Sequence, residues 1–302
     1  MSRKITMKDI AAEAGVSIAT VSYILNNAPG QTISADTRQK VLEASERLQY
    51  SMNLAAQSLK SGKSGLVGIL LPKVEPAWYW SAYKYAKAVA LLEKQLMQQG
   101  YHVILSYYDL DHPAFDLVLE RKLDGVIVFD VTEDIFTRIS SHYGMGIPVV
   151  LMESYVADPL FHKVVPDFKA AMQQLQPDSG QQQASFLVMD AYHNAGMCAQ
   201  IRRDAGLTAE HTHIYHSDEG LEQFLGDYRG KYGLVVNEFL ASRVLQQHAN
   251  VGVICTCGCP DLLPGSVRKA VFPESIYSKV TELLLGYMQS SEYRCEEEYI
   301  YR

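Results

Sequence analysis

No stretch of about 18 apolar residues occurs in the 302-residue sequence, which excludes a membrane-spanning helix. The opening residues, Met1-Ser2-Arg3-Lys4-Ile5-Thr6-Met7-Lys8-Asp9, place no apolar run behind their basic residues, so no secretory leader is expected. The cytoplasm is therefore the expected compartment, with the five cysteines as reduced thiols. Also missing are G-x-S-x-G, a P-loop, a strand-following G-x-G-x-x-G and H-E-x-x-H. Without them the commoner nucleophilic, phosphate-cradling, dinucleotide and zinc chemistries fall away, and neither enzyme activity nor a cofactor is expected. The nine histidines include no H-x3-H pair, and there is no low-complexity tract or internal repeat.

What is present is the composition of a folded protein, with 48% apolar and 20% charged residues. The length suggests two or three folded units. Charge is spread unevenly. Residues 1–63 hold eight Lys+Arg against five Asp+Glu, a net of +3, which leaves -10 on the remainder and -7 overall. That split fits a nucleic-acid-binding head on an acidic core without requiring one.

The first 50 residues read as three short helices. Met7–Ala14 has helical apolar spacing and stops at Gly15, which accepts the left-handed conformation of a tight turn. Ser17 caps a second helix, Ile18–Leu25, which ends in the breaker-rich Asn26-Asn27-Ala28-Pro29-Gly30. Ser34 caps a third, with Asp36 in its first turn and Val41, Ser45 and Leu48 on its inner face. Residues 51–63 read as a polar connector with a short helical core, Leu54–Lys60.

From Gly65 apolar strands alternate with helices. Strands are predicted at 66–71, 102–107, 125–129 and 148–152, with helices at 82–99 and 133–143. The pattern restarts after Ala171 with strands at 184–189, 213–216, 233–236 and 251–255 and helices at 195–205 and 238–248. A helix at 275–289 and a strand at 297–301 follow, and Glu296-Glu297-Glu298 reads as a solvated face. Such alternation implies two α/β units built on parallel sheets. The crevice between two such units is a natural ligand site.

Two helices joined by a glycine-containing turn form the helix-turn-helix arrangement, here Met7 to Tyr23. Ala11, Val16 and Val21 are small and apolar where the helices must cross closely. Ser17, Ile18, Ala19, Ser22 and Tyr23 remain outside, on a helix whose amino end would enter a major groove. Thr6, Ser17, Ser22 and Asn26 offer polar groups to phosphates. Ile18 and Ala19 suit a thymine methyl, Tyr23 suits a base edge, and Thr20 completes the set. An ordinary helical hairpin is the alternative reading.

Residues 5–63 also resemble the amino-terminal region of the LacI/GalR family of bacterial repressors. The matching residues are Lys8-Asp9-Ile10-Ala11, Ala14-Gly15-Val16-Ser17, Thr20-Val21-Ser22 and Leu25-Asn26. Ser34, Thr37-Arg38, Lys40-Val41, Leu48, Tyr50, Asn53, Ala56 and Ser58-Leu59 continue the match. The resemblance implies a DNA-binding head at 1–50 and a hinge helix or linker at 51–63. It implies a periplasmic-binding-protein-like (type I) body at 64–302 that dimerises and senses an effector. Within that body one subdomain is expected at about 64–157 and 266–290, the other at about 158–265 and 291–302.

The resemblance further implies a homodimeric repressor on a pseudo-palindromic double-stranded operator. Paired hinge helices would lie in the minor groove and push Leu59 between the central base pairs. Asn53, Ala56, Gln57 and Lys60 would share that helix as DNA contacts. Ala55, Ala56 and Ser58 are small enough for two helices to pack, and Leu59 is an apolar wedge. A helix this short is unstable alone, so its folding can be coupled to binding, and the resemblance implies that it orders only on the operator. The family's usual proline is replaced by Met52, which makes the start of the hinge less rigid. A linker residue packed on the body is the other reading of Leu59.

Ligands of parallel-sheet bodies sit at the carboxyl ends of the strands. That rule offers Trp78, Tyr79, Glu153, Asp190, His193, Asn194, Asn237, Glu238 and Asp261 as effector contacts. The loop with both tryptophans, Trp78 and Trp80, suits a sugar ring or a base, or packs as a lid or dimer contact. Sugar- and purine-binding relatives usually carry an arginine early in the helix after Asp190. Here His193 or Asn194 stands in that place, and Arg202 and Arg203 come two turns later. The family's aspartate near Gly258 falls on Pro260, with Asp261 one step off, and Asn237-Glu238 replaces Asn-Asp. These departures speak against an ordinary sugar pocket. A sugar-like or atypical effector, a protein co-regulator and an ungated body all stay open. Cys255-Thr256-Cys257-Gly258-Cys259 would align three sulfurs on one strand face, as core filler or as a soft-metal or redox site. It lacks the C-x2-C spacing of zinc sites, and no metal is assigned.

Overall fold

The computed structural model describes residues 5–25, 33–50, 62–74, 80–109, 120–142, 146–176, 183–290 and 292–301. The expected hinge helix, with Asn53, Ala56, Gln57, Leu59 and Lys60, lies outside the described residues, as do Asn26, Trp78 and Tyr79. The chain divides into two compact units, Met1–Ser61 and Gly62–Arg302.

In the first unit, α1 (Met7–Ala14), α2 (Ile18–Leu25) and α3 (Ala35–Arg47) surround a small core of Ile10, Val21, Val41 and Ala44. Side chains satisfy the free N–H groups at the helix starts. The Asp9 carboxylate accepts from the Thr6 N–H at 2.8 Å and its hydroxyl at 2.7 Å. Ser17 Oγ accepts from the Thr20 N–H at 3.0 Å, and Ser34 Oγ from the Thr37 N–H at 3.2 Å. Gly15 ends α1 at φ +66°, a conformation that costs glycine nothing.

The second unit opens with β1 (Leu66–Pro72), α4 (Trp80–Gln98), β2 (His102–Tyr108), β3 (Gly125–Phe129), α5 (Glu133–His142), β4 (Val149–Met152) and β5 (His162–Val165). Next come α6 (Phe168–Gln174), β6 (Phe186–Met189), α7 (Ala195–Ala205), β7 (Thr212–Ile214), α8 (Asp218–Gly226), β8 (Gly233–Val236), α9 (Glu238–Val244) and β9 (Val251–Cys255). β10 (Arg268–Val271), α10 (Ser275–Gln289) and β11 (Tyr299–Tyr301) complete it. Among the described residues, one sheet has the order β11-β5-β4-β3-β1-β2 and the other β10-β9-β8-β6-β7. β3, β4, β6, β8 and β9 are buried end to end, as strands covered on both faces must be.

Sheet membership corrects the expected subdomain limits. β5 and β11, assigned from sequence to the second subdomain, join the first sheet through β4. β10, assigned to the first, pairs with β9 in the second. The cause is visible in the packing. The Lys163 side chain of β5 is fully buried and meets Glu298 at 2.6 Å, while Ile300 of β11 lies fully buried in the core beneath the first sheet. Glu296 and Glu297 are exposed, whereas Glu298 is half-buried, with its carboxylate turned to Lys163. β9 ends at Cys255, so Cys257 and Cys259 sit in the loop beyond it and the three sulfurs do not share a strand face. Among the described residues no helix is long and apolar enough to cross a membrane.

Candidate nucleic-acid interface and ligand cleft

α2 turns Val21 and Ile24 into the head's core and leaves Ile18 50% and Tyr23 40% exposed. Ala19 is exposed beside Ile18. The polar candidates behave differently. Thr6, Ser17 and Thr20 engage their hydroxyls in the two caps, with Ser17 Oγ and Thr20 Oγ1 2.9 Å apart. Ser22 is partly buried. The exposed face thus pairs two apolar side chains with one phenol beside a helix amino end, a surface suited to base edges and methyl groups in a groove.

In the body, β3, β4 and β8 are followed by Asp130, Glu153 and Asn237 at φ +49°, +51° and +94°. Non-glycine residues adopt such conformations uncommonly, aspartate and asparagine more readily than the rest. All three contribute to one polar cluster. The Glu153 carboxylate pairs with Lys84 Nζ of α4 at 2.6 Å. Burial works against the Lys84 ammonium, but Glu153, with Tyr85, Tyr192 and Asp130, outweighs it and holds the pKa well above the usual lysine range.

Asp130 and the residues before α7 tie the two sheets together. The Asp130 carboxylate accepts from the His193 N–H at 3.0 Å and the Asn194 N–H at 2.9 Å, with His193 Nδ1 at 3.1 Å. Asn194 Nδ2 donates to the Val131 carbonyl at 2.6 Å and to that of Tyr155 at 3.1 Å. Its Oδ1 caps α7 and also accepts from the Tyr155 N–H.

On the second sheet, Asp190 Oδ2 accepts from Trp80 Nε1 at 2.7 Å and Asn237 Nδ2 at 3.1 Å. Burial raises the Asp190 pKa, partly offset by Lys84 and these donors. Glu238 is fully buried and accepts from the N–H groups of Cys257 at 3.0 Å and Cys259 at 2.6 Å. Burial, reinforced by Glu238, pushes the Cys255 thiol up to about 12 and raises Cys257 as well. Among the described residues no group of three or more His, Cys, Asp or Glu is placed to hold a metal.

The structure therefore brings Glu153, Asp190, His193, Asn194, Asn237 and Glu238 to the same strand ends and leaves Asp261 exposed on the turn Pro260–Leu262. Sequence reasoning missed Lys84 and Asp130 and named Trp80 only as part of an aromatic loop, not as an effector contact. Asp130 had a signal, a lone carboxylate terminating the apolar strand Gly125–Phe129. Lys84 had none, because helical spacing does not say which cation faces inward.

Residues 6–53 match the family described as bacterial regulatory proteins of the lacI family. Residues 64–224 match that of the periplasmic binding proteins and sugar binding domain of the LacI family. The chain belongs to the LacI family. It is 33% identical over 168 residues to the HTH-type transcriptional regulator RegA of Clostridium saccharobutylicum, covering 54% of this chain and 47% of that protein. It is 30% identical over 177 residues to catabolite control protein A of Staphylococcus aureus (strain MRSA252), covering 57% and 50%. The chain thus spans about half the length of these curated relatives. In fold it is similar to the lac repressor dimer bound to operator and the anti-inducer ONPF, with TM-score 0.70 and 16% identity over 99% of this chain and 96% of that one. The cluster described above is how this LacI-family chain furnishes the strand ends of its body.

Proposed function

We propose that this chain is a sequence-specific DNA-binding transcription regulator, a repressor that grips a pseudo-palindromic operator as a homodimer in the cytoplasm. In this reading residues 1–50 are the head, 51–63 the hinge and 64–302 the body. α2 is the recognition helix, with Ile18, Ala19 and Tyr23 toward the bases and Thr6, Ser17, Thr20, Ser22 and Asn26 toward the backbone. The observation that carries it is α2 itself, anchored by Val21 and Ile24 while Ile18 and Tyr23 stay exposed. The two-fold arrangement follows from half-site geometry, and the lac repressor of similar fold is a dimer on its operator. The test is selection of bound duplexes from a random pool, followed by gel-shift titration of wild type and Leu59→Ala. A palindromic consensus, bound more weakly by the variant, supports the reading; failure to enrich any sequence overturns it.

A second reading concerns the body. Asp190, Asn194, Asn237 and Glu238 are all engaged by this chain's own groups, which favours a body that answers to a protein co-regulator or is ungated over one gated by a sugar-like effector. Thermal shifts across a metabolite panel test it, because a ligand of the native state raises stability by RT ln(1 + [L]/Kd).

A further inference from the structure

Helix α4 is divided between two cores. Tyr85, Ala88, Leu92 and Leu96 pack beneath the first sheet. Trp80, its first residue, is fully buried in the other core, among Phe186, Val188 and Val253 of the second sheet and Tyr215 and Leu240 packed with them. The indole N–H donates to Asp190 Oδ2 at 2.7 Å, and Asn237 Nδ2 donates to that same oxygen. The Tyr215 ring lies 5.4 Å from the indole at 56°, and the Arg243 guanidinium stands 5.8 Å from its centroid. Arg243 is held in turn by Asp218 at 2.6 Å. One turn along, Tyr83 stacks on Phe239 at 5.3 Å.

A carboxylate acceptor steadied by an amide, an aromatic wall and a cation over the ring together make a cup for a flat aromatic molecule with an N–H donor. We propose that Trp80 is the internal ligand of this cup, supplied by one subdomain to the other, and holds the body closed without any small molecule. The proposal deepens the ungated reading above and rests on it. The two sheets cannot separate unless the indole leaves. A signal acting on the body, such as a partner protein pulling on α4, would therefore have to extract it. Asp130, His193 and Asn194 join the same two sheets at a second point, and Tyr83 on Phe239 and Lys84 over Tyr192 add further contacts.

The test uses the full chain as wild type, Trp80→Ala and Trp80→Phe, with hydrogen exchange and small-angle X-ray scattering, each with and without millimolar indole. For Trp80→Ala, amide exchange in peptides covering 186–194 and 234–240 should rise roughly ten-fold. The maximum dimension should grow, and free indole should reverse both changes. Trp80→Phe, which keeps a ring and loses the N–H, should fall between. Unchanged exchange and scattering in Trp80→Ala overturn the proposal. So does faster exchange with unchanged dimensions and no response to indole, which marks Trp80 as an ordinary core residue. If Trp80→Ala does not fold, Trp80→Phe and Asp190→Asn decide the matter on the same peptides and by scattering at unchanged circular dichroism: faster exchange with a larger maximum dimension supports the cup, and faster exchange alone or unchanged exchange overturns it. Wild-type operator binding, measured alongside, fails only if the DNA-binding reading fails.

Discussion

The Nζ of Lys84 and Oε2 of Glu153 lie 2.6 Å apart with both side chains only 11% exposed, and the Tyr192 ring centroid is 4.6 Å from the same ammonium. Removing one member strands a charge that water reaches poorly. Lys84→Ala should cost about 3–5 kcal/mol in denaturant unfolding, because an uncompensated buried carboxylate is penalised far beyond the lost attraction. The double variant Lys84→Met with Glu153→Leu should recover most of that loss. Equal costs for the single and double variants would contradict the pairing.

His213 supplies a pH dependence. Its ring stacks on Phe224 at 5.2 Å, and its buried Nε2 has no hydrogen-bond partner among the described residues. Burial, then the neighbouring His216, lowers its pKa below the ordinary 6.5. A depressed folded-state value means the unfolded chain takes the proton first. Its contribution to stability is therefore present above pH 6.5 and is lost as pH falls through the folded value. The melting temperature should fall between pH 7.5 and 5.5, and His213→Phe should flatten that slope.

In the head, stability and recognition should separate. Ser34→Ala removes the cap of α3 and should cost about 1 kcal/mol. Val21→Asp should unfold the head outright, since Val21 is fully buried. Tyr23→Ala should leave melting unchanged while weakening selected duplexes by about 1–3 kcal/mol in competition titrations.

Glu238 should control thiol access. With Cys255 at about 12 and Cys257 raised as well, both should alkylate slowly at pH 7.5. Glu238→Gln replaces one of the two oxygens that hold the Cys257 and Cys259 amides, so the loop should loosen and labelling of Cys257 should accelerate. Mass spectrometry of iodoacetamide adducts reads both outcomes.

The strong periodic signals were legible in advance. Gly15 and Gly206 as helix stops, the Ser17 and Ser34 caps and the apolar strands at 125–129, 233–236 and 251–255 appear where residue chemistry placed them. Two strands interrupted by a lysine were not. His162–Val165 and Arg268–Val271 each carry a lysine that reads as surface, yet Lys163 is buried against Glu298 and Lys269 bonds the Pro260 carbonyl. The polar residues at strand ends were legible as a group, but their partners were not. Whether Glu238 faces a cleft or two backbone amides depends on a loop 19 residues away, which no local pattern reports.

The left-handed backbone at Asp130, Glu153 and Asn237 has an outcome that a substitution scan can read directly. Elsewhere in regular structure alanine outranks glycine by about 0.5–1 kcal/mol. At these three places both replacements delete the side-chain bonds, but glycine alone releases a strain of about 1–3 kcal/mol. The usual ranking should therefore invert, and the inversion would mark from unfolding data alone where this fold bends its strands out of line to aim a polar group.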